Sequence, residues 1–226
     1  MTLLTPQQTA IDTNPLEWIS PQRSTAMLKA IPTGNPDIGF ALLPAAGKDK
    51  PNRLADLLRA KLQPCQPNED ELAVATGWPV TAFAHRIIAA RNVPTERSIE
   101  ALAAGYGAAI QPHQDVLAVV LTYWFDDMEI FAHDIMEAVT TYCSMYLAKK
   151  GMTSLIVQHV PGEMGSDRRP HVHVVVFARA RSLTGWCERP AHMDEKSSAH
   201  WVEDWLKFCK LCQFGRPARS ISSSAE

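Results

Sequence analysis

Residues 116–123, VLAVVLTY, form an unbroken apolar, β-branched-rich run. A strand with one wet face alternates polar and apolar residues, so a run without that alternation belongs to a strand buried on both faces. The chain is thereby committed to a sheet within a sizeable core. With 226 residues, 46% of them hydrophobic, it is long enough to build one main globular unit. Asp126 and Asp127 next supply a helix start, and Met128, Phe131, Ile135, Val139, Tyr142 and Tyr146 recur at the spacing of one helical stripe. Gly151 ends that helix after Lys149 and Lys150, whose charges suit the negative end of the helix dipole. SLIVQHV (154–160) and HVHVVVFAR (171–179) read as two antiparallel strands of one hairpin, joined by a polar turn through Gly165 and Asp167. Residues 201–212 read as a last amphipathic helix, followed by a frayed Ser-rich end at 220–226.

The amino-terminal part has a different texture. Pro6, Pro15, Pro21, Pro32, Pro36, Pro44, Pro51, Pro64 and Pro67 interrupt regular structure repeatedly, which predicts a loosely structured arm over residues 1–70. Within it, residues 52–62 (NRLADLLRAKL) have helical spacing and IGFALLP suits one short strand. Asn68 is placed to cap a helix whose first turn holds Glu69, Asp70 and Glu71. A break near Gly77 to Pro79 is expected to separate it from a second helix over AFAHRIIAARN, and Thr95 to open another running to about Ala104.

Lys and Arg (22) nearly balance Asp and Glu (24), which gives no reason to expect a protein that coats nucleic acid indiscriminately; any DNA contact has to come from a local patch. No cationic head followed by an apolar run opens the sequence, and there is no stretch of ~18 apolar residues to span a membrane. A soluble, cytoplasmic protein without membrane association is the expectation. Cys65, Cys143, Cys187, Cys209 and Cys212 are then reduced thiols rather than a disulfide framework.

Side chains alternate faces along a strand, so His171 and His173 point to one side and Val172 and Val174 to the other. With suitable register across the hairpin, His159 lies opposite them. The three imidazoles then form a metal-binding face with open coordination positions, the catalytic kind of site because substrate or water can enter. The competing reading is three ordinary polar residues on a solvated sheet face.

The stretch YLAKKGMTSLIVQHVPGEMGSDRRPHVHVVVFARARSLTGW (146–186) resembles the core of the MobA/MobL plasmid mobilisation relaxases, within the HUH endonuclease superfamily. The family pattern is a helix ending in Gly-Met, a strand closing on His, a variable turn, Asn-Pro-His-x-His and a following Arg. Gly151-Met152, His159, Pro170-His171-Val172-His173 and Arg179 match it, with Arg169 in place of the Asn. The strand at Val116 is also similar to the first motif of the superfamily's replication initiators. The resemblance is confined to about residues 115–186. It implies one divalent ion, Mg2+ or Mn2+, held by His159, His171 and His173 against a scissile phosphate. It implies a tyrosine nucleophile that leaves a 5′-phosphotyrosine. It also implies single-stranded origin DNA as partner, with other mobilisation or replication proteins. Because the ion needs neutral imidazole, activity is expected to fall below a pH of roughly 6.5.

Relaxases carry that tyrosine near the amino terminus and initiators carry it on a helix after the histidine strand; Tyr106, Tyr123, Tyr142 and Tyr146 lie between these places. Tyr142 and Tyr146, with Lys149, do reproduce the Tyr-x-x-x-Tyr-x-x-Lys spacing of two-tyrosine initiators and are the candidate nucleophiles. They also extend the apolar stripe of their helix, which makes sheet packing the competing role. Arg168, Arg169 and Arg179 are candidate phosphate contacts. Trp186, Trp201 and Trp205 are candidate stacking surfaces. Cys187, Cys209 and Cys212 with His192 and His200 hold enough soft ligands for a structural zinc.

The architecture expected is α/β: an antiparallel sheet of about five strands, HUH-endonuclease-like, with histidines on one face and helices on the other. The arm precedes it and the nuclease domain spans 71–219. The function expected is metal-dependent DNA nicking and strand transfer of the mobilisation or rolling-circle type. The alternatives are a catalytically inactive DNA-binding accessory protein and a histidine-triad nucleotide hydrolase. Val175 stands where that last family has a third His, which counts against it.

Overall fold

The computed structural model describes residues 18–75, 77–125, 131–164 and 167–214. In chain order the elements are α1 (Pro21–Ala26), β1 (Lys29–Ile31), β2 (Ile38–Pro44), α2 (Leu54–Leu62), α3 (Glu69–Val74), β3 (Ala84–Ile88) and α4 (Ile99–Ala108). They continue as β4 (Val116–Trp124), α5 (Ala132–Tyr142), β5 (Met152–His159), β6 (His171–Ser182), β7 (Gly185–Trp186) and α6 (Ser198–Cys212). The strands form an antiparallel sheet in the order β1-β2-β4-β6-β5-β3, with β7 paired to the far end of β6. The central strands β4, β6 and β5 are the three apolar runs of the sequence, buried almost throughout.

The antiparallel α/β architecture is as the sequence implies, with seven strands rather than about five and with helices on both faces. On one face α2 and α4 bring Leu54, Leu57, Leu58, Leu62, Leu102 and Tyr106 against Val120, Leu155, Val157, Val175 and Phe177. On the other, α5 and α6 bring Ile135, Val139, Tyr142, Trp201, Trp205 and Phe208 against Leu121, Tyr123, Ile156, Val172, Val174 and Val176. The alternation of β6 therefore feeds two separate cores. No helix among the described residues is long and apolar enough to cross a membrane.

The strand and helix read at 38–44 and 52–62 are present as β2 and α2, but they are not parts of a loose arm. β2 pairs with β4 along its whole length, so the sheet runs straight through the boundary expected at residue 70. The prolines punctuate elements instead of preventing them. Pro21 begins α1, Pro32 and Pro36 lie between β1 and β2, Pro44 closes β2 at a register shift, and Pro51 precedes α2. Residues 1–17 and the tail at 220–226 lie outside the described residues, as does the expected helix start at Asp126 and Asp127.

Asn68 caps α3 with a reciprocal pair of 2.8 Å hydrogen bonds to Glu71. The helix expected over AFAHRIIAARN is a strand: β3 pairs with β5 from Ala84↔Gln158 to Ile88↔Ser154. Ladder pairing outweighs the helical propensity of this short segment, whose faces alternate. The next helix starts at Ser98, whose hydroxyl accepts from the amide of Ala101, rather than at Thr95. Helix α5 continues through a π turn (Cys143–Leu147) to Gly151, which takes the left-handed conformation at φ 77° that a glycine tolerates.

Candidate metal centre

The registers of β4, β6 and β5 assemble the three histidines. His159 pairs with His171, His173 with Val157, and on the other side Thr122 pairs with His173 and Trp124 with His171. Paired residues share a face, so all three imidazoles point to the α2 side, where their ring centroids stand 4.9–5.0 Å apart. One ring nitrogen from each lies within 4.8 Å of the others.

Hydrogen bonds at the far ring edges decide which nitrogens are available. His159 Nε2 donates to the Lys61 carbonyl at 2.8 Å, and His171 Nδ1 donates to the Arg169 carbonyl at 2.9 Å. A carbonyl only accepts, so the opposite nitrogens, His159 Nδ1 and His171 Nε2, carry lone pairs in the neutral rings. These two atoms face each other at 3.2 Å. Two lone pairs at that distance repel unless a cation lies between them. Two nitrogens bound at ~2.1 Å to one tetrahedral ion are roughly 3.4 Å apart. His173 Nδ1 meets the Thr122 hydroxyl at 2.9 Å, while its Nε2 accepts from the Lys61 ammonium at 3.4 Å. Each imidazole is thus oriented by a partner behind it, the arrangement that metal-binding histidines require.

Burial keeps the cluster neutral. It lowers the His159 pKa to about 4, with His171 and the nearby Lys61 charge acting in the same direction. It lowers His171 and, more strongly, His173. Lys61 itself is pushed down to about 8 by its own burial. The residues fit a borderline divalent ion: three neutral nitrogen donors, tautomers set and lone pairs convergent.

No protein-family model matches the sequence, and no curated protein matches it. Among solved structures the chain is similar to one from work on the molecular basis of vancomycin resistance transfer in Staphylococcus aureus. That structure is 13% identical at a TM-score of 0.48, over 61% of this chain and 74% of that one. Overlap of that extent carries no function from one protein to the other.

The structure does not bring the expected nucleophiles to the histidines. Tyr142 is fully buried on the opposite face, its ring edge-on to Trp205 at 5.2 Å and stacked on Tyr146 at 5.3 Å. Burial also raises the pKa of its phenol far above the ordinary value. Tyr146 packs against the same core, as does Tyr123, while Tyr106 on α4 donates to the Leu117 carbonyl at 2.7 Å. All four tyrosines of the chain therefore serve packing, Tyr142 and Tyr146 through the helical stripe that contains them.

Arg179 is not a phosphate contact. It is buried and gives its guanidinium to the carbonyls of Ala109, Trp186 and Cys187, tying β6 to the segment after α4 and to β7. Arg169 pairs with Asp37 at 2.8 Å, and Arg168 is exposed at the mouth of the histidine strand. Trp201 and Trp205 are core residues; Trp186 packs on Tyr106 and Phe177. The thiols of Cys187, Cys209 and Cys212 are free, and among the described residues the only three-ligand cluster is the histidine one, so the candidate zinc ligands are not brought together. His192 and His200 stack on each other at 3.7 Å instead.

Sequence reasoning missed three neighbours of the cluster. Lys61 comes from α2, a helix read as part of the arm. Thr122 lay inside an apolar run and signalled only strand. Trp124, tilted toward His171 at 6.5 Å, is the indole that does stand at the site, and Gly39 on β2 makes room for it: a Cβ there would come within 2.8 Å of the ring. Beyond α2, a cleft of about 790 Å³ lined by Leu62, Trp78, His85, Arg97 and Glu100 lies beside the centre without including any of the three histidines.

Proposed function

We propose that this protein binds a divalent ion through His159, His171 and His173 and acts on phosphodiester bonds of single-stranded DNA, nicking at a plasmid or mobile-element origin with a nucleophile other than its own tyrosines. One observation carries this reading: the two lone pairs of His159 Nδ1 and His171 Nε2 converge at 3.2 Å beside His173, each ring locked by a hydrogen bond behind it. The order of the motif along the chain, a strand closing on His159 followed by Pro170-His171-Val172-His173, supports the choice of reaction class. Of Mg2+ and Mn2+, the all-nitrogen set favours Mn2+, because Mg2+ prefers oxygen ligands and keeps its waters. When bound, the ion supplies Lewis-acid polarisation of a phosphate oxygen. The chain's residues orient that chemistry: Thr122 and the Lys61 and Arg169 carbonyls fix the rings, and Trp124 offers a face beside His171 for an unpaired base.

The tyrosine placement favours a second reading, a binding module without strand transfer. With Tyr142 and Tyr146 across the sheet, neither is the nucleophile of this centre, and cleavage here uses water or a hydroxyl brought by another molecule. Incubation with end-labelled single-stranded origin oligonucleotides and Mn2+, read on a denaturing gel, separates the two. Metal-dependent cut strands that vanish in His171→Ala and His173→Ala support nicking. Metal-dependent retention of an uncut strand, from a pool that an active relaxase cleaves, moves the protein to the binding class.

A further inference from the structure

Helix α2 ends against the histidines, and its residue Lys61 is held there at both ends. Its carbonyl accepts from His159, and its side chain, buried with the rest of the residue at 7% exposure, places Nζ 3.4 Å from His173 Nε2. Among the described residues no carboxylate faces this ammonium. The groups that hydrogen-bond the histidines, the Thr122 hydroxyl and the Lys61 and Arg169 carbonyls, are neutral, and the charge that Arg168 brings toward His171 is positive as well. A buried cation without an anion is costly, and a divalent ion beside it adds to the excess. Moreover, the acceptor that Lys61 now uses, His173 Nε2, is one that a bound ion takes. The ammonium, with three N–H donors, must then turn to another acceptor.

Resting on the metal-assisted phosphodiester reading, we infer that Lys61 is the second cation of this centre and donates to an oxygen of the bound phosphate group. Lys61 would then bind an anion whose charge the ion held by the histidines would also offset, and the net charge of the site would select phosphate over neutral ligands. Two sources share this chemistry, a free phosphate ion and the backbone of single-stranded DNA.

The test uses the full chain, Lys61→Met and Lys61→Arg. Mn2+ binding is measured by calorimetry and folding by thermal melts. With Mn2+ saturating, inorganic phosphate is titrated by 31P line broadening and a fluorescein-labelled twelve-residue oligothymidylate by anisotropy. Expected is a Lys61→Met protein that melts no lower than wild type, binds Mn2+ at least as tightly, and loses roughly tenfold in affinity for both anions, while Lys61→Arg stays within about threefold. Wild-type anion affinity in Lys61→Met overturns the inference, and so does loss of Mn2+ binding in that variant, which makes Lys61 a support for the histidines only. Lys61-dependent binding of phosphate without any binding of the oligonucleotide upholds Lys61 and sinks the DNA reading. Oligonucleotide binding equal in wild type and Lys61→Met does the reverse. A metal-loaded wild type that binds neither anion overturns both.

Discussion

The two sides of β6 are built from one strand of alternating residues and have opposite characters. His171 and His173 face α2 and join His159, Thr122 and Lys61 in a polar pocket with its ring nitrogens arranged for a cation. Val172 and Val174, one residue away, face α5 and α6 in a dry core of stacked rings: Tyr123 on Trp205 at 4.0 Å, Tyr142 on Tyr146 at 5.3 Å. The first face stores polar groups whose best partner is a ligand; the second stores aromatic area whose partners are already in place. Function and stability are thus divided across the thickness of a single sheet, and a substitution should disturb one or the other according to whether its strand position is on the histidine side.

Direct removal of a ligand is the most severe way to test that division. His173→Ala or His171→Ala is expected to weaken Mn2+ binding by at least ~100-fold in calorimetry, since even partners behind the ligands are worth 10–100-fold. Neither change reaches the aromatic core. Melting of the metal-free protein should therefore move far less than binding, and a variant that unfolds while its residual folded fraction keeps full affinity would erase the distinction between the faces. Thr122→Val tests the orienting layer. It keeps the shape and deletes the hydroxyl 2.9 Å from His173 Nδ1. Roughly tenfold weaker Mn2+ binding is expected; unchanged affinity would show that packing alone orients the ring.

This division also explains what the sequence could disclose. Strand alternation placed His171 and His173 together, and the hairpin register did the rest for His159, because both are local consequences of two strongly apolar runs. Lys61 was out of reach. Nothing in NRLADLLRAKL says that its one lysine turns inward; that depends on α2 lying across a sheet face whose neighbours come from residues 118–177. The strand at Ala84–Ile88 was hidden for a similar reason, since its partner β5 is some 70 residues away. Arg179 shows the opposite failure. A residue that fits a motif by spacing is bound up by three carbonyls, two of them from the end of β7, which nothing in its residues predicts will fold back on β6.

Burial moves the pH response of the histidine face away from the value expected of free imidazole. An ordinary histidine with pKa near 6.5 would be ~3% neutral at pH 5 and lose most of its metal affinity. His159, with its pKa lowered to about 4, remains ~90% neutral there. His171 and His173 are lowered too, so the loss of Mn2+ affinity is expected to set in below pH 6.5, and a steep loss at pH 6.5 itself would mean that the cluster is wet. Stability has its own window. The unfolded chain takes up the His159 proton near pH 6.5 and the folded chain only near 4, so the unfolded state holds more protons between these values and stability falls as pH drops through them. Above pH 6.5 this contribution is fully retained.

The smallest expected effect bears most directly on the comparison. Tyr142→Phe removes a hydroxyl that is fully buried and makes no hydrogen bond of good geometry, leaving its stacked ring in place. The hydroxyl it faces, that of Tyr123, lies outside good hydrogen-bond geometry, so little is lost with it and melting should stay within a degree or two of wild type. Mn2+ binding and any metal-dependent strand cleavage should match wild type. Tyr146→Phe, which keeps the packing of Tyr146 on the same core, should behave alike. A covalent DNA adduct in the wild-type protein that disappears in Tyr142→Phe would require the helix containing this tyrosine to leave the sheet and cross to the histidine side. That would breach the core formed with Val172, Val174, Trp205 and Phe208. An unaltered gel and an unaltered titration would instead confine the tyrosines to the packing layer and leave the chemistry to the face that carries Lys61.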